Sequence, residues 1–182
     1  MKAIANFDKV QASGQFERLP AGGYVIRITD VHDEDAPDKQ YLRIVYDIAE
    51  GAEAGRYKNE DKKNEFRHTF MRSYKETALG MLKAFTQAVD ETNGTKLTAQ
   101  VQSGLDETQL TGKLVGVVFG YEEYNANDGT VKERIRVAQI LPAEDIRKGN
   151  YKVPALKKLE EKAETTGAPE GFTALADDDL PF

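Results

Sequence analysis

This sequence predicts a mainly β domain with one long helix, and three observations carry the prediction. Three runs between Tyr24 and Arg72 alternate in the period of two that a half-buried strand requires. A later run, from Ser73 to Asn93, repeats apolar residues at helical spacing instead. Two further β-rich runs flank Asp128-Gly129, a dipeptide favoured in tight hairpin turns.

Residues 1–20 form a weakly periodic leader that ends in the turn Leu19-Pro20-Ala21-Gly22-Gly23. The first strand, Tyr24 to Val31, sets Tyr24, Ile26 and Ile28 against Val25, Arg27 and Thr29. After the polar break from His32 to Lys39, a second strand sets Leu42, Ile44, Tyr46 and Ile48 against Tyr41, Arg43, Val45 and Asp47. A lysine-bearing loop then leads to a third strand, Glu65 to Arg72, with Phe66, His68, Phe70 and Arg72 facing one way and Glu65, Arg67, Thr69 and Met71 the other.

Ser73-Tyr74-Lys75-Glu76 reads as a capping box, with Ser73 accepting from first-turn amides and Glu76 reaching back. The helix it opens carries Ala78, Met81, Leu82, Phe85 and Val89 on one stripe and stops at Asn93-Gly94. A short helix is expected at Asp106 to Leu110, then strands at Lys113 to Tyr124 and Thr130 to Leu141. Pro154 is expected to open a last short helix with Leu156 and Leu159. Three strands, a helix and a hairpin, in that order, give the connectivity of an OB-fold, a five-stranded Greek-key barrel with a helix between its third and fourth strands. Other small β-barrels and an open α+β sheet fit the same order less economically.

Domain organisation follows. Residues 21–159 make the barrel domain, 160–176 a flexible linker rich in Glu, Thr, Gly, Pro and Ala, and 177–182 an acidic tip. The net charge of -6 divides unevenly: residues 160–182 hold seven acids and one base, so the preceding body is neutral. No apolar stretch approaches the roughly 18 residues that a membrane span needs, and the first ten residues lack the apolar core of a signal peptide. With no cysteine there is no disulfide framework, and the cytoplasm is the expected compartment.

The chemistry of most enzymes is missing from the pattern. His32 and His68, without cysteine, do not make a usual zinc set. Asp33, Asp35 and Asp38 resemble a calcium loop, but Ile44 stands where the closing Glu belongs. Gly112-Lys113 lacks the earlier Gly and the following Ser or Thr of a phosphate loop. No nucleophile elbow or acid/base pair stands out, so a non-enzyme without cofactor or metal is expected.

Single strands of nucleic acid are held by cations that neutralise phosphates and rings on which bases stack. The outward faces offer both: Arg27, Tyr41, Arg43, Lys132, Arg134 and Arg136, and the third strand adds Arg67 on one face and Arg72 on the other as further DNA-binding candidates. Lys58, Lys62 and Lys63 in the polar loop, and Tyr121 and Tyr124 near the hairpin tip, sit where loops would close over a ligand. Phe66 and Phe70 are expected in the core, and become stacking platforms only in the opposite register.

The tip reads as a ligand for another protein. Phe182 joins an apolar ring to the α-carboxylate, and Pro181 holds Leu180 extended, which lowers the entropy lost on docking. Asp177-Asp178-Asp179-Leu180-Pro181-Phe182 resembles the tail tip of bacterial and phage single-stranded DNA-binding proteins, where acids precede Ile/Leu-Pro-Phe. Leu19-Pro20-Ala21-Gly22-Gly23-Tyr24, the strand Tyr41 to Ala49, Arg72-Ser73-Tyr74-Lys75-Glu76 and Asn150-Tyr151-Lys152-Val153-Pro154 are similar to single-stranded DNA-binding proteins of phages of Gram-positive bacteria. The resemblance implies a non-catalytic DNA coat in phage replication, recombination and repair, acting in the host cytoplasm. It also implies a tip that recruits DNA-metabolism enzymes. The linker is shorter than in bacterial homologues, which limits the reach of the tip. Two rival readings are a protein adaptor, with acids such as Glu122, Glu123 and Glu133 breaking up the basic face, and a DNA-processing enzyme with clustered carboxylates. Oligomeric state stays open, a homo-oligomer included.

Overall fold

A computed structural model describes residues 18–36 and 39–159. Most of the expected leader, the linker 160–176 and the tip 177–182 lie outside the described residues. Among the described residues no helix is long and apolar enough to cross a membrane.

Eight main elements follow one another: β1 (Gly22–Ala36), β2 (Lys39–Ile48), β3 (Thr69–Ser73), α1 (Leu79–Asn93), α2 (Leu97–Gln100), β4 (Leu114–Asn125), β5 (Val131–Leu141) and α3 (Ala143–Lys148). The strands form one sheet in the order β3-β2-β1-β4-β5. Each neighbouring pair is antiparallel. The sheet is open, with β3 and β5 at its edges.

One face of the sheet makes the core. Ile26, Ile28, Ile44, Tyr46, Phe70, Val117 and Phe119 are buried on it, and α1 covers them with Leu82, Phe85 and Val89. The rings interlock: Tyr46 stacks on Phe119 with centroids 5.5 Å apart, and Phe70 meets Phe85 edge-on at 6.0 Å. Burial pushes the Tyr46 hydroxyl far above its ordinary range. A register shift between Ile28 and Asp30 re-phases β1, so that Val31 returns to the core three residues after Ile28. Such a bulge increases the local twist and bends the strand.

β1 runs past the expected break at His32, because residues through Ala36 pair with Lys39 to Arg43 along the backbone. A solvated hairpin arm needs ladder hydrogen bonds and no apolar face, so periodicity does not reveal it. The third strand is shorter than expected. Lys62–His68 winds as a 3-10 helix, and β3 begins only at Thr69.

The capping box does not form. Ser73 ends β3, where its hydroxyl donates to the Gln40 carbonyl at 2.9 Å and accepts the Lys75 amide at 3.2 Å. A 3-10 turn at Glu76–Ala78 then leads into α1. On α1 the stripe holds for Leu82, Phe85 and Val89, but Met81 points to solvent at 61% exposure and Thr86 and Ala88 are buried instead. Gly94 closes the helix with φ 64°, a conformation that costs glycine nothing. The short 3-10 helix at Glu107–Leu110 is capped by Asp106, whose carboxylate accepts the Thr108 amide.

The opposite face of β1 and β4 carries Val25 and Val118, both buried. It is covered by α3 and by a strap of residues 150–159, which forms no helix where the sequence predicts one after Pro154. Three glycines admit this cover. A Cβ on Gly116 would lie 2.6 Å from Ile146, one on Gly23 2.5 Å from the Tyr151 ring, and one on Gly120 2.7 Å from Pro154. The strap ends by pairing with β4: Lys157 donates its amide to the Tyr121 carbonyl and accepts that of Glu123.

Candidate nucleic-acid interface

A cleft of about 670 Å³ lies between the segment that leads into β3 and the outer half of β4 and β5. Arg18, Arg56, Arg67 and Arg134 line it with Tyr57, Phe66 and Tyr121. Glu60 is also in the lining. A smaller recess of about 320 Å³ lies beside it, bounded by Arg43, Lys62, Lys63, Phe66, Thr69 and Met71, with Glu65 also in the lining. Phe66 lines both.

The 3-10 helix Lys62–His68 builds the shared wall. Its tight winding breaks the strand alternation, so Phe66 and Phe70 diverge: Phe70 is buried at 8% exposure and Phe66 stands out at 72%. The expectation that both are core is therefore half corrected. His68 anchors the segment inward, stacked on Tyr57 at 4.8 Å and edge-on to Tyr46 at 6.3 Å. With His68 held in the core, Phe66 and Arg67 are displayed at the rim. The Arg67 guanidinium lies 5.8 Å from the centre of the Phe66 ring.

The opposite wall comes from the hairpin. Tyr121 is fixed by its hydroxyl, which donates to the Leu19 carbonyl at 2.7 Å. Arg134 lies 5.2 Å from the centre of the Tyr124 ring, a cation–π arrangement that keeps a long side chain in one place.

Each arginine of the cleft also meets a carboxylate. Arg18 is 3.7 Å from Glu133, Arg67 is 3.1 Å from Glu60, Arg134 is 2.7 Å from Glu122, and Arg56 pairs with Glu53. Glu60 reaches His68 as well, at 3.3 Å. Partly exposed ion pairs of this kind are worth about 0–1 kcal/mol each. At the more exposed pairs, such as Arg18–Glu133, an anion could exchange for the carboxylate at small cost, and the pairs hold the guanidinium groups in position.

Of the residues singled out from sequence, the cleft gathers Arg67, Tyr121 and Arg134. Arg43 borders the recess, bonded to Glu65 at 2.6 Å and Glu34 at 3.4 Å. Those bonds outweigh its burial and raise the guanidinium above its usual range. Tyr41 is half-buried on the same strand. Lys132, Arg134 and Arg136 do align along the hairpin, yet Lys132 is held by Asp128 at 2.7 Å and Arg136 lies 3.8 Å from Glu122. The expected continuous cationic stripe is thus interleaved with acids.

Two arginines stand apart from the cleft. Arg27 donates to the Gly112 carbonyl at 3.2 Å on the far side of β1. Arg72 lies over the Phe70 ring at 4.9 Å, and burial pushes its guanidinium down to about 10. Its Nε is buried without a hydrogen-bond partner.

Sequence periodicity does not single out Arg18, Arg56 or Tyr57. The one available signal is the dipeptide form shared by Arg56-Tyr57 and Phe66-Arg67, a ring next to a guanidinium at either end of a polar loop. Asp30, His32 and Glu65 place ligand atoms within 4.8 Å of one another, but Glu65 is already committed to Arg43. Among the described residues no carboxylate is fully buried; the buried polar side chains are His68 and Thr86. No protein-family model matches the sequence, and no curated protein matches it.

Proposed function

We propose that this protein binds single-stranded DNA without catalysis, in phage replication and recombination, and that its acidic C-terminal tip recruits DNA-metabolism enzymes. The observation that carries the DNA reading is the convergence of four guanidinium groups and three rings on one open cleft. Rings serve as stacking platforms for bases of any sequence, and guanidinium groups exchange carboxylates for phosphates. Duplex DNA hides its bases from such rings, so the arrangement favours unpaired strands.

The strand order supports an OB-fold reading. A five-stranded Greek-key barrel cut open between its third and fifth strands lays flat as β3-β2-β1-β4-β5, with α1 covering the inner face. In that reading the cleft occupies the seam where the barrel would close. The tip reading rests on Asp177 to Phe182 in the sequence.

A fluorescent thymidine oligomer, challenged with excess duplex of equal length, tests the DNA reading. Retention of the oligomer against duplex is expected. Equal displacement by duplex would overturn the reading, as would failure to bind the oligomer.

One observation favours a second reading, a protein adaptor. The acids Glu53, Glu60, Glu122 and Glu133 stand among the cleft arginines, as a surface for mixed-charge protein contacts would have them. The same binding assay separates the two.

A further inference from the structure

Phe66 combines three properties rarely met in one ring. It is 72% exposed, although a phenylalanine has no polar atom to offer water. It forms a wall of two separate depressions, of about 670 and 320 Å³, each within the size range of small-ligand sites. Cations stand on both sides of it: Arg67 on the side of the larger cleft, and Lys62, Lys63 and Arg43 around the smaller recess. Lys62 has no ion pair among the described residues, and Lys63 meets only Asp61, at 3.1 Å between exposed groups.

We infer that Phe66 is a wedge that enters between two consecutive bases of the bound strand, one lying in the cleft and the next in the recess. This deepens the single-strand reading and rests on it. A ring that merely stacked under one base would need a single depression beside it. Where one exposed ring separates two depressions, a strand crossing from one to the other must splay its neighbouring bases around that ring. The cations are placed for the backbone at such a step, with Arg67 before the ring and Lys62 and Lys63 after it. The 3-10 helix makes the wedge stiff, because His68, two residues on, is fixed against Tyr57 and Tyr46.

The chain has no tryptophan, so Phe66→Trp introduces a single reporter at the wedge. Its emission should be quenched saturably by a thymidine oligomer, because a base stacks against the ring on binding. Phe66→Ala should weaken binding about ten-fold or more, the size of one lost stacking platform, without changing the salt dependence. Geometry is read from an oligomer carrying two adjacent 2-aminopurines, whose exciton circular dichroism reports their mutual stacking. Moved along the oligomer, the pair should lose its couplet on binding native protein at one step, and keep it with Phe66→Ala. Oligomer bound at full affinity with the couplet preserved at every step would overturn the wedge and leave the single-strand reading standing. Absence of oligomer binding by the native chain would overturn both.

Discussion

Glu122 stands directly opposite Arg134 in the β4–β5 ladder, and the Arg134 Nε donates to its carboxylate at 2.7 Å. The same carboxylate lies 3.8 Å from Arg136, so one acid on the hairpin neutralises two of its bases. Glu122→Gln should therefore release both guanidinium groups toward phosphate. Affinity for a thymidine oligomer at low salt should rise by up to about five-fold, the equivalent of an exposed pair's ~0–1 kcal/mol. Weaker binding, measured by anisotropy, would mean that Glu122 positions the arginines rather than competing with the strand.

The cover on the far face of the sheet depends on glycine. With Tyr151 lying where a Gly23 side chain would project, Gly23→Ala should destabilise the fold by about 1–3 kcal/mol, the range for overpacking a filled site. Combining it with Tyr151→Ala should cost less than the sum of the single changes. Urea denaturation of the four proteins in that cycle gives the coupling, and strict additivity would count against the contact.

Asn93 does more than end α1. Its amide donates to the carbonyls of Val89 and Leu114, and its oxygen accepts the Leu114 amide at 3.0 Å. Asn93→Ala removes the link between the helix end and the first residue of β4, and a loss of about 2 kcal/mol is expected, since partner groups are left unsatisfied. Asn93→Asp should lose comparable stability, because a carboxylate cannot donate to either carbonyl. Chemical denaturation checks both.

Acid stability has a defined contributor. Burial alone would raise the Asp90 carboxyl, but hydrogen bonds from Thr95, Thr98 and Leu97 outweigh it and hold the group below its ordinary range. A carboxyl depressed in the folded state stabilises it above the unfolded value, about pH 4, and loses that contribution as pH falls through the folded value. Asp90→Asn should thus lower stability at pH 7 and show a smaller further loss between about pH 5 and pH 2, read from thermal melts across that range.

Under the proposed recruitment, deletion of Phe182 should abolish capture of DNA replication and repair enzymes in pull-downs while leaving DNA binding intact. Removal of residues after Ala176 should tighten DNA binding at low salt if the acids compete for the cleft. Unchanged pull-downs would refute the tip reading, and unchanged affinity the competition.

Much of the fold is legible in the residues. Alternation places Ile26, Ile28, Ile44 and Tyr46 in the core, Asp128-Gly129 marks the hairpin, and Asn93-Gly94 stops the helix. Two features escape for physical reasons. Phe66 alternates correctly with Phe70, and only the 3-10 winding of Lys62–His68 turns it outward, a conformation with no periodic signature over seven residues. In the strap after Asn150, Pro154 has the local form of a helix start, whereas its ring packs against Gly120, far away in sequence. At the site, spacing alone finds the cationic residues of β5. Their neutralisation by Asp128 and Glu122 depends on the hairpin turn and on cross-strand register, which single-strand periodicity does not reveal.

Whether the cleft grips unpaired DNA is decided by the salt dependence of binding to a labelled thymidine oligomer. Saturable binding at low salt is expected, weakening linearly on a log-log plot with a slope of about -0.7 per phosphate contacted. With four cleft arginines engaged, that slope should approach about -3. No saturable binding at low salt, or binding indifferent to salt, would show that the cleft does not hold the strand.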